Sequence, residues 1–544
     1  MQRTKKGSVF LMISLLIIGV AVFSSSLGLI PHPGWSKGRI ALLIFGLLVG
    51  LIPWVRWKKS EAYSLQSDLF TFPALLIVVA IYLWFMAASH NATSNYYDLL
   101  GDAFRQGGLS LSLRPDPTLL ALPNPYDPVA RQGVKAPLDL SLYKGKFYLY
   151  WGPTPALLVA LVKPVFPGQI SDAYLLFLFV CGIFLSQFML IMYIQERLFP
   201  EIPGWMVILS IFIVGLTSPT LWLLSQPKIY ETAIAGGQFF FITGLLFVFT
   251  ALDRPIPSRW RLALAGILWA LAVGTRSVLV FPIAFMMLMV IYWFYRIYQR
   301  AWLKLIIGLL PLGVPLSLGA VAFGWYNWAR FGSISETGFT YALAGPYLQG
   351  HLSELFAPAY IFQNLYNYLL NPLRLKQSFP FFYPVRGVIE AILPWQVLPK
   401  IYSAQALTGL LYAVPFTLFA IQPIATLWKH FFKKRAVADL VPEPEMVFPT
   451  WMMTSLTGSF LLAFTCLLAF FWAAMRYTED FMPALILLSI LGFWHRYLSL
   501  AQIRRKVKCL LSLAQLWQAY PLSLERYWRF PMPSPAACSK IAMK

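Results

Sequence analysis

Residues 89–151, SHNATSNYYDLLGDAFRQGGLSLSLRPDPTLLALPNPYDPVARQGVKAPLDLSLYKGKFYLYW, form the first long polar interruption in a chain that otherwise reads as membrane. At about 100° per residue, Asp98, Asp102 and Arg105 (i, i+4, i+7) share one narrow arc. Tyr96, Leu99, Leu100, Ala103 and Phe104 fill the other side. The spacing predicts a short amphipathic helix with two carboxylates and a guanidinium on its wet face and a greasy face for a bilayer surface. It begins a few residues beyond an apolar run, which puts any catalytic chemistry at a membrane–water boundary.

Outward from this stretch the chain is apolar. Its 544 residues are 59% hydrophobic, 17% aromatic and 12% charged. Soluble domains carry about 25% charged residues, so repeated apolar runs at half that value imply a multi-pass membrane protein. Runs long enough to span are placed near 8–30, 40–56, 69–88, 172–194, 205–222, 232–251, 261–275, 277–295, 303–325, 405–428, 449–472 and 480–494. The expected fold is thus all-α, a bundle of about twelve spans.

Orientation follows from loop charge. Arg3, Lys5 and Lys6 put the N-terminus on the cytoplasmic side, and VRWKKS after the second run agrees. Residues 89–171 then lie outside. The run 151–168 is short and holds four prolines, and keeping it on the outer surface leaves the later basic loops inside. The layout is an extra two-span hairpin (1–68), a core with the first outer loop 89–171 (69–325), a second outer region of helices and loops acting as a cap (326–404), C-terminal spans (405–494) and a basic cytoplasmic tail (495–544). The cell membrane is the expected location.

The net charge is +22, from 43 Lys+Arg against 21 Asp+Glu. Because the basic residues gather in short loops between spans, this reads as cytoplasmic loop charge and membrane-lipid contact, with no nucleic-acid partner. Four scattered cysteines imply no disulfide framework, and five separated histidines carry no metal-ligand spacing. No protein-built metal site is expected; a divalent cation is admissible without being called for.

Asp98 or Asp102 can act as a general base toward an acceptor hydroxyl. The plainer alternative is a surface helix whose acids pair with Arg105, worth a few tenths of a kcal/mol. Asp127 and Asp139, in proline-punctuated segments, read as turn formers. Lys144 and Lys146 suit a phosphate-bearing ligand. Arg276, between two apolar runs in LAVGTRSVLVFP, either faces a polar cavity and grips a phosphate or snorkels to headgroups. Glu231 opens the run TAIAGGQFFF as a helix-dipole charge or a second site acid. Arg476 and Asp480 in RYTEDFMP read as an i,i+4 pair or as site residues. Aromatic residues of the second outer region can stack on sugar rings.

Six segments together carry a resemblance: NYYDLLGDAFRQGGLSL (95–111), YKGKFYLYWGPTPALL (143–158), YETAIAGGQFF (230–240), LAVGTRS (271–277), YNWARFGS (326–333) and RYTEDFMPAL (476–485). Over roughly 69–494 the arrangement resembles the GT-C class of polytopic glycosyltransferases and is similar to the bacterial family 39-like (dolichyl-phosphate-mannose mannosyltransferase-like) membrane proteins. The resemblance implies transfer of a sugar from a polyprenyl-phosphate donor to a saccharide, lipid or protein acceptor at the outer face. It also implies an acid on the first outer loop and basic side chains on the lipid phosphate. Matching positions here are Asp98 and Asp102 as acids, with Arg105, Lys144, Lys146, Glu231, Arg276, Arg330, Arg476 and Asp480 as phosphate- or substrate-binding residues.

The sequence departs from the family pattern. The usual acid lies directly after the span, where this chain has His90-Asn91-Ala92-Thr93-Ser94-Asn95, and two extra spans precede the family's first. Two other classes therefore stay open: a transporter or flippase of a lipid-linked or amphiphilic substrate, and a catalytically altered subunit.

Overall fold

The computed structural model describes residues 14–519, apart from 15, 23–35, 56–64, 89–92, 138, 167, 218, 300, 346, 376, 378–381 and 434–446. It is an all-α membrane protein. Among the described residues seven helices are long and apolar enough to cross a membrane, and Gly38–Val49 and Thr71–Ala87 are shorter apolar stretches. Most of the expected first span, 8–30, lies outside the described residues.

The helices in chain order are α1 (Lys37–Val55), α2 (Leu65–Ala88), α3 (Tyr96–Arg105), α4 (Thr154–Val162), α5 (Asp172–Leu198), α6 (Gly204–Leu216), α7 (Thr220–Ser225), α8 (Ile229–Leu252), α9 (Arg259–Val273), α10 (Val280–Tyr298), α11 (Trp302–Phe331), α12 (Ile361–Leu370), α13 (Ile421–Lys433), α14 (Val447–Leu468) and α15 (Met482–Ala519). Contacts divide the chain into residues 1–492 and 493–544. In the second unit, where a surface tail is expected, residues up to 519 are helical and 520–544 lie outside the described residues.

Apolar length builds the centre of the first unit. α5 starts at Ser171, whose hydroxyl accepts from the Ala173 N–H at 3.2 Å, an N-cap. It packs on α8, α8 on α9, and α9 on α11. α5 and α8 are apolar on all sides and buried almost throughout, as expected of central helices in a bundle. α11 runs 30 residues with Pro311 and Pro315 inside it, and ends at Gly332, whose φ of +77° a glycine adopts without strain.

Two expected boundaries shift. The run 405–428 is not one span: it holds a short strand at Ala406–Leu407, a helical turn at Leu410–Ala413, a 3₁₀ turn at Pro415–Ala420 and the start of α13. α11 extends through Phe331, into the region expected as cap. In the first, hydropathy averages over Pro and Gly breaks that the backbone obeys; in the second, the helix continues past the apolar run until Gly332 ends it.

The segment 151–168 forms the nine-residue helix α4, too short to cross. α3 lies against it, with Gly101 facing Val159 so closely that a Cβ would stand 2.8 Å from Cγ1. The buried face of α3 is Tyr97, Asp98, Leu100, Gly101 and Ala103; it shares Leu100 and Ala103 with the expected greasy face and is rotated from it by roughly a quarter of a turn, because α3 packs on protein.

Residues 332–409 make a compact layer of 3₁₀ turns, α12 and small sheets. Before this layer, β1 (Ser141–Tyr143) and β2 (Lys146–Tyr148) form an antiparallel hairpin. Within the layer, β3 (Leu373–Leu375) pairs antiparallel with β4 (Phe382–Arg386), and β4 with β6 (Ala406–Leu407). β5 (Ser403–Ala404) pairs in parallel with β7 (Trp472–Ala473), which follows α14. Asn364 of α12 donates to the carbonyls of Leu467, Leu468 and Phe470. This layer is thus stitched by backbone to the end of α14.

Candidate functional site

Where these parts meet lies a cavity of about 650 Å³. Its charged lining residues are Asp139, Lys228, Glu231, Arg276 and Arg476, set among Tyr150, Trp151, Trp222, Tyr230, Phe339 and Trp472. A pocket of this size, mainly aromatic with a few convergent charges, has the form of a small-ligand site.

Asp139 comes from the junction of the first loop with the 332–409 layer. Its N–H donates to the Leu343 carbonyl (3.3 Å), and the Leu343 N–H donates back to Leu140 (2.8 Å). The Ser141 hydroxyl donates to Gly338 (2.7 Å) and Arg131 Nη2 to Ala344 (2.6 Å). These bonds hold Asp139 at φ +73°, a left-handed conformation rare outside glycine. A non-glycine residue kept there against its preference often marks a functional site. Burial pushes its carboxyl up to about 6, against the lowering pull of Arg476 and Lys228.

Arg276 sits in the turn between α9 and α10. Its Nη2 and Nε donate to the two carboxylate oxygens of Asp480, at 2.7 and 3.2 Å, a bidentate pair with the Asp480 side chain fully buried. Gln238 of α8 donates to the Asp480 carbonyl at 2.7 Å. The turn fits because α8 has Gly237 there, where a Cβ would stand 2.6 Å from the Arg276 Cβ. The guanidinium also lies 5.3 Å from the Tyr477 ring centre and 5.8 Å from that of Trp151. Gly152 reaches the same turn: a Cβ there would collide with the Gly274 carbonyl, and the Thr154 N–H donates to that carbonyl at 3.1 Å.

Arg476 stands in the 3₁₀ turn Met475–Asp480, buried throughout. It does not pair with Asp480, as the i,i+4 spacing suggests. A 3₁₀ turn places i and i+4 on different faces, and Arg276 takes the acid. Arg476 Nη1 instead donates to Gln405 Oε1 at 2.8 Å, and its guanidinium lies 4.6 Å from the ring centre of Tyr230.

Asp98 and Asp102 do not line the cavity. Both pair with Lys163 at the end of α4, at 3.0 and 2.7 Å, and Asp98 also accepts from the Ile170 N–H at 2.9 Å. The expected Arg105 pairing gives way to this one because α4 folds back over α3. Arg105, Lys144 and Lys146 are exposed and off the cavity wall. Arg330 is buried; it donates to the carbonyls of Leu149 (2.6 Å) and Tyr326 (3.3 Å) and to Asn327 Oδ1 (2.8 Å), so it props the wall from behind. Asp127 accepts from the Val129 N–H at 2.8 Å, the expected turn. The carboxylate missing from 89–95 is supplied from afar: Asp172 accepts from Ser94 Oγ and from the Tyr96 and Tyr97 N–H groups, anchoring the start of α3.

Of the residues named from sequence, Glu231, Arg276 and Arg476 meet at the cavity, with Asp480 directly behind. Asp139 was read as a turn former, and Lys228, Trp151, Trp472 and Gln405 were not singled out. The signals available for them were the charged turn QPKIYE and the aromatic YWGPTP; the left-handed Asp139 left none. Among the described residues no three His, Cys, Asp or Glu come together to hold a metal ion.

No family model matches the chain, and no curated protein matches it. Among solved structures, the apo form of the Archaeoglobus fulgidus oligosaccharyltransferase is similar, at a TM-score of 0.41 and 12% identity, over 87% of this chain and 54% of that one. The present chain thus spans about half the length of that protein.

Proposed function

We propose that the protein is a GT-C-like glycosyltransferase that moves a sugar from a polyprenyl-phosphate donor to an acceptor hydroxyl at the outer face of the membrane. The observation that carries the reading is the convergence of two carboxylates, Asp139 and Glu231, with three cations, Lys228, Arg276 and Arg476, on a single aromatic-walled cavity at the ends of apolar helices. Glu231 and Arg476 are buried there, and a buried charge is expensive unless it is paired or used.

In this reading Asp139 replaces Asp98 and Asp102 as the base. Its carboxylate takes the proton of the acceptor hydroxyl as the acceptor oxygen bonds to the anomeric carbon. The bond from that carbon to the phosphate oxygen breaks, and its electron pair leaves with the polyprenyl phosphate. Arg276 and Lys228 offset the charge gained by the phosphate, and Asp480 positions Arg276 to do so. Asp98 and Asp102 fix the first loop through Lys163.

The test is transfer of radiolabelled sugar from synthetic polyprenyl-phosphate hexoses by the purified protein, compared with Asp139→Asn. Transfer abolished in the variant supports the reading, and equal transfer removes the base assignment. Movement of the lipid across vesicles without covalent transfer would instead favour the transporter.

A further inference from the structure

The cavity wall holds buried polar atoms without hydrogen-bond partners. Glu231 is 2% exposed, and its Oε2 accepts from no donor. On the same cavity the Trp472 Nε1–H and the Arg476 Nε–H are buried donors with no acceptor. Among the described residues Glu231 is the one acid with a buried, unpartnered oxygen. Such groups are costly to leave unpaired and in native folds usually await something.

Their mixture selects the ligand. A phosphate presents mainly acceptors, so it satisfies Trp472 and Arg476 but brings no matched donor to Glu231 Oε2. A hydroxyl both donates and accepts. Neighbouring hydroxyls on one pyranose ring can donate to Glu231 Oε2 and accept from the two N–H groups together. The wall also offers ring faces to the apolar side of a sugar: Trp151 and Tyr230 stand 5.2 Å apart, nearly perpendicular at 84°. Arg476 cannot swing away to serve elsewhere, because Gln405 holds its Nη1 at 2.8 Å and Tyr230 lies under its guanidinium.

We infer that Glu231, with Trp472 and Arg476, forms a sugar-reading subsite that binds vicinal hydroxyls of a pyranose, and that Glu231 determines which hexose is accepted. The inference rests on the glycosyl-transfer reading and deepens it. A site built to hydrogen-bond a hydroxyl discriminates strongly against ligands lacking it, whereas the cations alone would hold any lipid phosphate. The pyranose is either the sugar carried by the lipid donor or part of a saccharide acceptor.

The experiment uses the full chain in lipid nanodiscs, titrated with undecaprenyl phosphate, with undecaprenyl-phosphate glucose, galactose and mannose, and with the matching methyl hexosides. Glu231→Gln is expected to weaken the preferred hexose ligand about tenfold or more without weakening bare undecaprenyl phosphate. Trp472→Phe keeps the ring, removes the donor and should cost the sugar ligand several-fold with the same silence toward the bare lipid. Loss confined to the hexosyl lipid identifies the donor's sugar, and loss confined to the methyl hexoside identifies the acceptor.

Equal weakening of bare and hexosyl lipid in Glu231→Gln, or no weakening of either, overturns the subsite. Wild-type protein that binds a methyl hexoside through Glu231 but neither undecaprenyl lipid keeps the subsite and overturns the lipid-donor reading. Should Glu231→Gln fail to fold by thermal unfolding, Glu231→Asp serves: a changed order among the three hexoses supports the subsite, and an unchanged order overturns it.

Discussion

In α3, Asp98 and Asp102 stand four residues apart; in the turn Met475–Asp480, Arg476 and Asp480 do too. The spacing is the same and the outcome differs. The α3 pair faces one neighbouring helix and shares a single lysine, Lys163, at a joint where Asp102 keeps 36% side-chain exposure. The pair in the turn splits: Asp480 goes behind the wall to Arg276, and Arg476 reaches forward to Gln405 and the cavity. What separates them is the backbone and its surroundings. A true helix keeps i and i+4 on one face, whereas a tight turn wedged between α8 and α14 aims each side chain at a different partner. Charge pattern alone therefore located a joint and a site without telling them apart.

The largest effect that sharpens this contrast is on the chemistry. Asp139→Asn should lower sugar transfer about 10²- to 10⁴-fold, the usual worth of a general base, while Asp98→Asn stays within a few-fold in the same assay. Comparable losses in both would place the base back on α3. The pH profile gives a second view of the same group. Because Asp139 must be ionised to accept a proton and titrates near 6, kcat/KM should fall about tenfold per pH unit below 6 and level off above it. The sign for stability is opposite. A carboxyl raised from 3.8 to about 6 binds more protons folded than unfolded between those values, so its contribution to stability falls as pH rises through that window.

Next in size is the hidden pair. Asp480→Ala leaves Arg276 buried without its carboxylate and should destabilise by about 3–5 kcal/mol, read from thermal or denaturant unfolding in detergent. A milder loss is expected at the joint. Lys163→Met strands Asp98, which is 4% exposed but keeps the Ile170 N–H; about 1–3 kcal/mol is expected from the same measurement. Smallest of all is Asp102→Asn at under about 1 kcal/mol, because water screens a pair with one exposed partner. If the joint variants cost as much as Asp480→Ala, the two regions are not as different as their burial says.

Much of the fold was legible and little of the site. The predicted amphipathic helix begins at Tyr96 and ends at Arg105 as the period requires, because helical periodicity is a property of neighbouring residues. The runs 172–194, 232–251 and 277–295 appear as α5, α8 and α10 with shifted ends. Arg276 stood out through its cost between two apolar runs, and Glu231 and Arg476 through their place at span ends. Asp139 did not, since proline-rich surroundings read as an ordinary turn. Its distinguishing feature, a left-handed backbone held by Leu343 across more than two hundred residues, has no local trace.

By itself the sequence determined an all-α membrane architecture, the short helix after α2 and a set of charges too expensive to be idle. Those follow from hydropathy and periodicity, which act over a few turns of chain. Tertiary structure alone decided that Lys163 claims the two aspartates, that Arg276 takes Asp480, and that a parallel pairing of Ser403–Ala404 with Trp472–Ala473 closes the cavity around Asp139 and Glu231. A buried charge settles on whichever opposite charge the packing brings within hydrogen-bonding reach, and that neighbour lies far away in sequence.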